Sequence, residues 1–256
     1  MTVPPPARAP AVDDEALGRL RYLPLERLQV RRPVDRIAYV RERCHGLRVL
    51  DLGAYDETEV VKRQHGSWRW LHAEIATVAR EVLGVDAAPE LAGTDGVTTA
   101  CGTRIVHGRV ENLDGILRDF RPDLVVAGEL IEHTPDTPGW LARIGEVRPG
   151  IRLLATTPNA TSVINLVLAF IGRENTHQDH LQIYSYKTLA TLARRIALRD
   201  VLITPYYYHS HLMRGRAPRP LLPLIYAADY LALMPIQYLF PLTAGGLILE
   251  GVLGRP

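Results

Sequence analysis

Short apolar runs that alternate with stretches of helical spacing constrain this chain more than any other feature. Residues 47–52, the run Leu83-Gly-Val85-Asp86, residues 123–128 and residues 151–156 span only four to six positions each, and each ends in or beside a glycine, an acid or a threonine. Runs this short and this continuously apolar read as strands buried on both faces. Residues 104–107 add a further strand. Between them, Trp68, Leu71, Ile75, Val78 and Val82 stand at helical spacing, as do residues 140–147, which Arg148-Pro-Gly150 closes. Residues 186–196 read as another helix, and residues 201–205 and 247–252 as a sixth and a seventh strand. Strands alternating with helices pair in parallel through right-handed crossovers. The expected fold is therefore α/β, a doubly wound, mostly parallel seven-stranded sheet of Rossmann-like type with an added apolar helix between the last two strands. Ligands of such sheets bind at the carboxyl ends of the strands. Residues 13–256 read as one domain, with an N-terminal helical cap over residues 13–46 and a helical lid insertion over residues 206–245.

Composition narrows the options. With 256 residues and 47% hydrophobic content the chain can bury a substantial core, and a formal charge of +2 gives no surface for a polyanion, so no nucleic-acid partner is expected. Arg214, Arg216 and Arg219 form only a short local cluster. Cys44 and Cys101 are too few and too far apart for a disulfide framework, which points to a reducing cytoplasm. Residues 1–12 are rich in Pro and Ala, lack the charged start and apolar block of a signal peptide, and read as a disordered tail. Residues 221–240 are long and apolar enough to raise the question of a membrane span. Asp229, Gln237, Pro223 and Pro235 argue against it, since an aspartate at mid-membrane costs about 2.5–3.5 kcal/mol. Tyr226, Asp229 and Tyr230 share one side of that helix and Leu221, Leu224, Ala228 and Leu231 the other, with an end or kink at Pro235. Two uses fit this pattern: a helix packed on the core or over a pocket, and peripheral contact with a membrane or a lipid-like substrate.

The chemistry-bearing residues gather at the expected strand ends. Glu129-Leu-Ile-Glu132-His133 follows the apolar run Leu124-Val-Val-Ala and packs two carboxylates and an imidazole into five residues. Asp86 stands where a carboxylate accepts both hydroxyls of a ribose, its alternative role being to cap a helix that begins near Pro89. Gly53 lets a backbone approach a ligand or simply makes a turn, and Asp51 orients that loop through backbone amides. The following Ala54-Tyr55-Asp56-Glu57 is acidic and lacks further glycines. A pyrophosphate needs bare amides at a helix N-terminus, so the loop disfavours a nicotinamide dinucleotide.

Taken in order, Val49-Leu-Asp-Leu-Gly53, Gly84-Val-Asp86, Gly128-Glu-Leu-Ile-Glu-His133, Arg148-Pro-Gly150, Thr156-Thr-Pro-Asn159, and Asp179-His180 followed by Tyr184-Ser185 resemble the class I S-adenosylmethionine-dependent methyltransferases. The likeness covers residues 37–253 and is greatest to the branch containing the ubiquinone-biosynthesis O-methyltransferases. It implies S-adenosyl-L-methionine (SAM) as cofactor, held by Asp51, Gly53, Ala54, Asp86, Ala87, Val110, Glu111 and Glu129. Arg109 stands where the family commonly has the acid that reaches the adenine amino group, with Glu111 as substitute. The implied reaction is O-methylation of a small-molecule acceptor, hydrophobic in character, by in-line transfer. Two mechanisms remain open for removing the hydroxyl proton. His133 or His180 acts as base, or a Mg2+-type ion is held by Glu129, Glu132, His133 and His180, a quartet that resembles the one in small-RNA 2'-O-methyltransferases. His177 is then an outer partner. Residues 163–171 cover the pocket, and Tyr206-Tyr-Tyr208 with His209 and His211 form an aromatic wall or pack beneath the last helix. The alternative function is a degenerate methyltransferase fold serving as a non-catalytic binding or membrane-surface scaffold.

Overall fold

The computed structural model of the chain describes residues 27–55, 69–209 and 219–254. The expected disordered tail, the first half of the helical cap, Asp56, Glu57, Trp68 and His211 lie outside the described residues.

Each central strand carries apolar side chains on both sides, and the structure buries both. After α1 (Arg36–Cys44), the elements are β1 (Arg48–Leu52), α2 (Leu71–Ala76), β2 (Glu81–Asp86), β3 (Val97–Thr98), β4 (Arg104–His107), α3 (Asp114–Phe120) and β5 (Leu124–Gly128). They continue as α4 (Thr137–Val147), β6 (Arg152–Pro158), α5 (Val163–Phe170), α6 (Tyr186–Arg195), β7 (Arg199–Tyr206), α7 (Leu222–Ala228), α8 (Met234–Leu239) and β8 (Gly246–Val252). The strands form one sheet in the order β3-β4-β2-β1-β5-β6-β8-β7. From β4 to β6 the pairing is parallel, while β8 runs antiparallel between β6 and β7. This is the expected doubly wound sheet.

Alternation along each strand divides the core. Leu50, Val125, Leu153 and Leu249 pack on one face with Leu117 of α3, Leu141 and Ile144 of α4 and Leu189 of α6. Val49, Val126, Leu154 and Ile248 pack on the other with Tyr39 and Val40 of α1 and Ile75 of α2. Two-sided burial explains why these strands read as continuous apolar runs rather than as an alternating pattern.

Three local expectations are corrected. The helix expected from Trp68 to Val82 is only α2, because Val82 belongs to β2, where it pairs with Val49; its helical spacing from Val78 spans a turn. The sheet has eight strands rather than seven: β3 is a two-residue edge strand, exposed throughout, which leaves no apolar signature. Of the end or kink expected at Pro235, the structure shows a local distortion and no end. A π-helical turn at Asp229–Leu233 joins α7 to α8, with the Met234 amide donating to the Asp229 carbonyl. This widening falls where Pro235 lacks an N–H and crowds the carbonyl of Leu231.

No helix among the described residues is long and apolar enough to cross a membrane. β6 ends at Pro158, paired with Gly246 at the start of β8, so α5 and the α7–α8 segment leave the sheet from the same edge as the loops after β1, β2 and β5. Leu50 is fully buried in the middle of β1. Leu50→Ala should cost about 2–5 kcal/mol in urea unfolding, with the loops after β1 and β2 left in place.

Candidate active site

The loop after β1 is shaped by backbone requirements. Gly53 adopts φ +71°, and a Cβ there would meet Leu130 Cδ1 at 3.3 Å. Gly53 is therefore required for the turn and for the close approach together. Asp86 ties this loop to the next one: its Oδ2 accepts from the Tyr55 amide at 2.9 Å and its Oδ1 from the Ala88 amide at 2.9 Å. Burial raises its pKa, and the amides of Tyr55 and Ala88 counter that rise. The helix cap expected as an alternative near Pro89 is not formed: the short 3-10 turn at Pro89–Leu91 carries no side-chain cap, and Asp86 accepts from the Ala88 amide just before it.

Asp51 is placed differently from its expected role of orienting loop amides. It is buried, and its Oδ2 lies 2.8 Å from His72 Nδ1, with His72 Nε2 2.8 Å from Thr103 Oγ1. The pair pins α2 and the β3–β4 turn beneath the loop. Ala54 is also buried there, and its carbonyl accepts from Trp70 Nε1 at 2.9 Å. Above them a cleft of about 240 Å³ is lined by Gly53, Asp86, Ala87, Val110, Glu111 and His133, with Arg109, Leu130 and Thr134. The cleft unites five of the residues assigned to the cofactor with one proposed base. Asp51, Ala54 and Glu129 do not line it. Arg109 lies 3.4 Å from Glu111 across its mouth, an exposed ion pair.

The β5 end forms a second cluster. Glu129 takes φ +54°, a left-handed conformation rarely held by a non-glycine residue. Its amide is fixed by the carbonyl of Thr156 at 2.9 Å and by Thr156 Oγ1 at 3.1 Å. Its carboxylate accepts from Tyr206 OH at 2.5 Å and pairs with Arg36 at 3.4 Å, and Arg36 Nε also donates to Thr156 Oγ1 at 3.2 Å. Glu132 is buried, and neither of its oxygens has a hydrogen-bond partner among the described residues. Desolvation, helped by the charge of Glu129, pushes its pKa up to about 8, against the pull of Thr157 and Arg36.

The histidines converge through a loop clamp. The Glu132 carbonyl accepts from the amides of Leu181 at 2.8 Å and Gln182 at 3.1 Å, and Gln182 Nε2 donates to the Thr134 carbonyl at 2.6 Å. This lays the loop after α5 against the one after β5. The ring centroids of His133 and His180 are 4.5 Å apart, and His177 lies 6.0 Å from His133 and 5.8 Å from His180. One ligating atom from each of the three falls within 4.8 Å of the others. Desolvation, then the neighbouring His133 and His177, lower the pKa of His180. The expected metal quartet is thus only partly assembled: His133 and His180 meet, His177 joins them as a third imidazole, and Glu129 and Glu132 stand outside the group.

Sequence reasoning missed Arg36 and His72, whose roles depend on where α1 and α2 are laid against the sheet. Tyr206 was read only as a wall or packing residue. Asn159, singled out within Thr157-Pro-Asn159, acts as a clamp, its Nδ2 donating to the carbonyls of Leu242 and Ala244 at 2.8 Å each.

A family model for the methyltransferase domain matches residues 21–202. No curated protein matches the chain. Among solved structures, the chain is similar to a SAM-dependent methyltransferase from Thermotoga maritima at 11% identity and a TM-score of 0.52, covering 84% of this chain and 86% of that one. A SAM-dependent methyltransferase from Archaeoglobus fulgidus gives 16% identity and a TM-score of 0.48 over 84% of this chain and 94% of that one. Haemonchus contortus phosphoethanolamine N-methyltransferase 2, solved with SAM, gives 13% and 0.48 over 86% and 52%.

A carboxyl that folding holds at about 8 instead of its ordinary 4.5 binds its proton more tightly folded than unfolded. Its contribution to stability is therefore present below pH 4.5 and lost as pH rises through 8. Glu132→Gln, which keeps a neutral group of the same shape, should melt close to wild type at pH 5 and clearly above it at pH 8.5 in calorimetric scans.

Proposed function

The chain belongs to the methyltransferase-domain family and is a SAM-dependent methyltransferase, and from that premise we propose that it methylates a hydroxyl of a small, hydrophobic acceptor, with an imidazole taking the proton. The observation that carries this reading is the contact between His133, which lines the cleft, and His180. In-line attack on a sulfonium carbon asks the protein to align the nucleophile with the methyl group and to remove a proton in a dry site. His180, its basicity lowered by burial and by two neighbouring imidazoles, is neutral at physiological pH and ready to accept one. The residues Asp179-His180 and Tyr184-Ser185 favour the branch containing the ubiquinone-biosynthesis O-methyltransferases.

In this reading Asp86 receives the ribose hydroxyls, Gly53 and Ala87 give backbone close to the nucleoside, and Val110 with Glu111 flanks the adenine. Arg36 and Tyr206 hold the Glu129 carboxylate at the inner end of the site, where its negative charge favours the sulfonium. Residues 206–245 serve as the lid of a single domain, fastened to the β6 end by Asn159.

The donor set does not fit a magnesium-type ion. Glu132 is largely protonated at neutral pH, Glu129 is committed to Tyr206 and Arg36, and the remaining donors are imidazoles, which hard cations disfavour. A second reading follows from the three grouped histidines: His133, His177 and His180 suit a borderline ion such as zinc. Such an ion would supply Lewis-acid stabilisation of an acceptor oxygen.

Asp86→Ala should weaken SAM binding in titration calorimetry by at least tenfold; an unchanged affinity would remove Asp86 from the ribose site. Activity should survive dialysis against EDTA and fall by about 10²–10⁴ in the His133→Ala or His180→Ala enzyme, whichever carries the base. With His180 as base, the wild-type rate should decline only as pH falls through a value below the ordinary 6.5 of histidine. EDTA-sensitive activity restored by zinc but not by magnesium would instead establish the three-histidine ion.

A further inference from the structure

The segment between β7 and β8 is built inside out. Its polar residues point inward: Asp229 is buried, and Gln237, fully buried, accepts from the amides of Tyr208 at 2.7 Å and Gly245 at 3.0 Å. Its aliphatic residues point outward, Leu224 at 68% and Leu231 at 80% exposure. The Leu221, Leu224 and Leu231 side therefore does not pack on the core, one of the uses expected for it. α7 buries none of its residues, and neither does α5, whose Phe170 is 83% exposed. Of the eighteen exposed large hydrophobic residues among those described, all but Val97 and Val201 fall within residues 166–183 and 221–242.

These two stretches adjoin. Asn159 and Thr161, at the approach to α5, bond the Leu242 carbonyl at 2.8 and 2.7 Å. They also rise from the edge of the sheet that carries the cleft. Most of the exposed charges around them are positive: Arg27, Arg32, Arg173 and Arg219 are exposed, Arg214 and Arg216 precede α7 in the sequence, and Glu174 and Asp179 are the exposed acids of the 166–183 stretch. Between residues 219 and 249 the only acid is Asp229, which faces inward. Glu174 and Asp179 belong to the histidine loop. Arg27 and Arg32 share a surface cavity of about 630 Å³ with Leu239, Phe240 and Leu242, and the Arg32 guanidinium lies 4.6 Å from the centre of the Tyr238 ring.

We propose that α5 and the α7–α8 segment form a docking face for an anionic phospholipid bilayer. Exposed aliphatic side chains insert among acyl chains, Tyr226, Tyr230 and Tyr238 sit at the headgroup boundary, and Arg27 with Arg32 receives a lipid phosphate above an apolar wall. The inward hydrogen bonds of Gln237 fix which side of the segment faces out, so the apolar face is a built surface. α5 and α7 carry no charged side chain themselves, while exposed arginines flank them, which is the arrangement of an interfacial surface on anionic lipid. Resting on the methyl-transfer reading, the same geometry implies an acceptor that resides in the lipid and enters the cleft from that edge.

Sedimentation of the full chain with vesicles of phosphatidylcholine alone, and of phosphatidylcholine mixed with phosphatidylglycerol, tests the proposal. The protein should pellet with the mixed vesicles, at least tenfold more weakly with the neutral ones, and the double variant Phe170→Glu, Leu231→Glu should lose binding by at least tenfold. Both positions are exposed, and the variant should keep the thermal unfolding midpoint and circular dichroism of wild type. Wild-type protein that ignores both vesicles, or a double variant that binds as well, overturns the docking face. So does a self-associated species in velocity sedimentation that the double variant abolishes while vesicles remain unbound. A chain that binds vesicles but not SAM would leave the docking face standing and remove the methyl-transfer reading.

Discussion

Parallel pairing from β4 through β6 is the constraint on which the rest of the molecule depends. Parallel strands cannot be joined by a tight hairpin, so every connection must cross back over a face and re-enter at the opposite edge. The residues that leave a strand at its carboxyl end are thereby gathered along one line, whatever their separation in sequence. Asp86, Glu129 and Asn159 meet in this way, and the two antiparallel strands at the end of the chain bring Tyr206 to the same line. The helices that enforce the crossovers also bury both faces, which makes the sheet rigid enough to hold loops of poor intrinsic stability.

At the line itself the dominant problem is charge. Two carboxyls three residues apart share one nearby guanidinium, that of Arg36, and a low-dielectric setting does not tolerate two ionised acids with a single counterion. The structure resolves this by asymmetry. Glu129 takes the Arg36 contact and the Tyr206 hydroxyl, while Glu132 goes inward and keeps its proton. The left-handed backbone at Glu129 is the local cost of sending the two side chains apart, and Thr156 offsets it with both its carbonyl and its hydroxyl.

The order of elements and the strand ends were legible because apolar continuity reports burial on two faces directly. Gly53 was legible because no other residue suits its backbone. Contacts made through long-range placement were not. Asp51 reads in sequence as a loop residue, yet its partner is His72, whose position depends on how α2 ends, and helical spacing overran that end into β2. β3 left no trace because both its residues face solvent. The histidine group was half visible: His133 and His180 stood out by motif, but His177 joins them only because the Glu132 carbonyl captures the amides of Leu181 and Gln182. The amphipathic pattern of residues 221–240 was legible, but which of its two sides faces the core was not. Periodicity finds two sides of a helix, and only the partners of Asp229 and Gln237 decide which is inside.

The carboxylate of Asp86 holds the Tyr55 and Ala88 amides at once, so it ties the loop after β1 to the loop after β2. A ligand that draws on its remaining lone pairs competes for electron density with both loops. One side chain thereby couples two walls of the cleft to whatever occupies it.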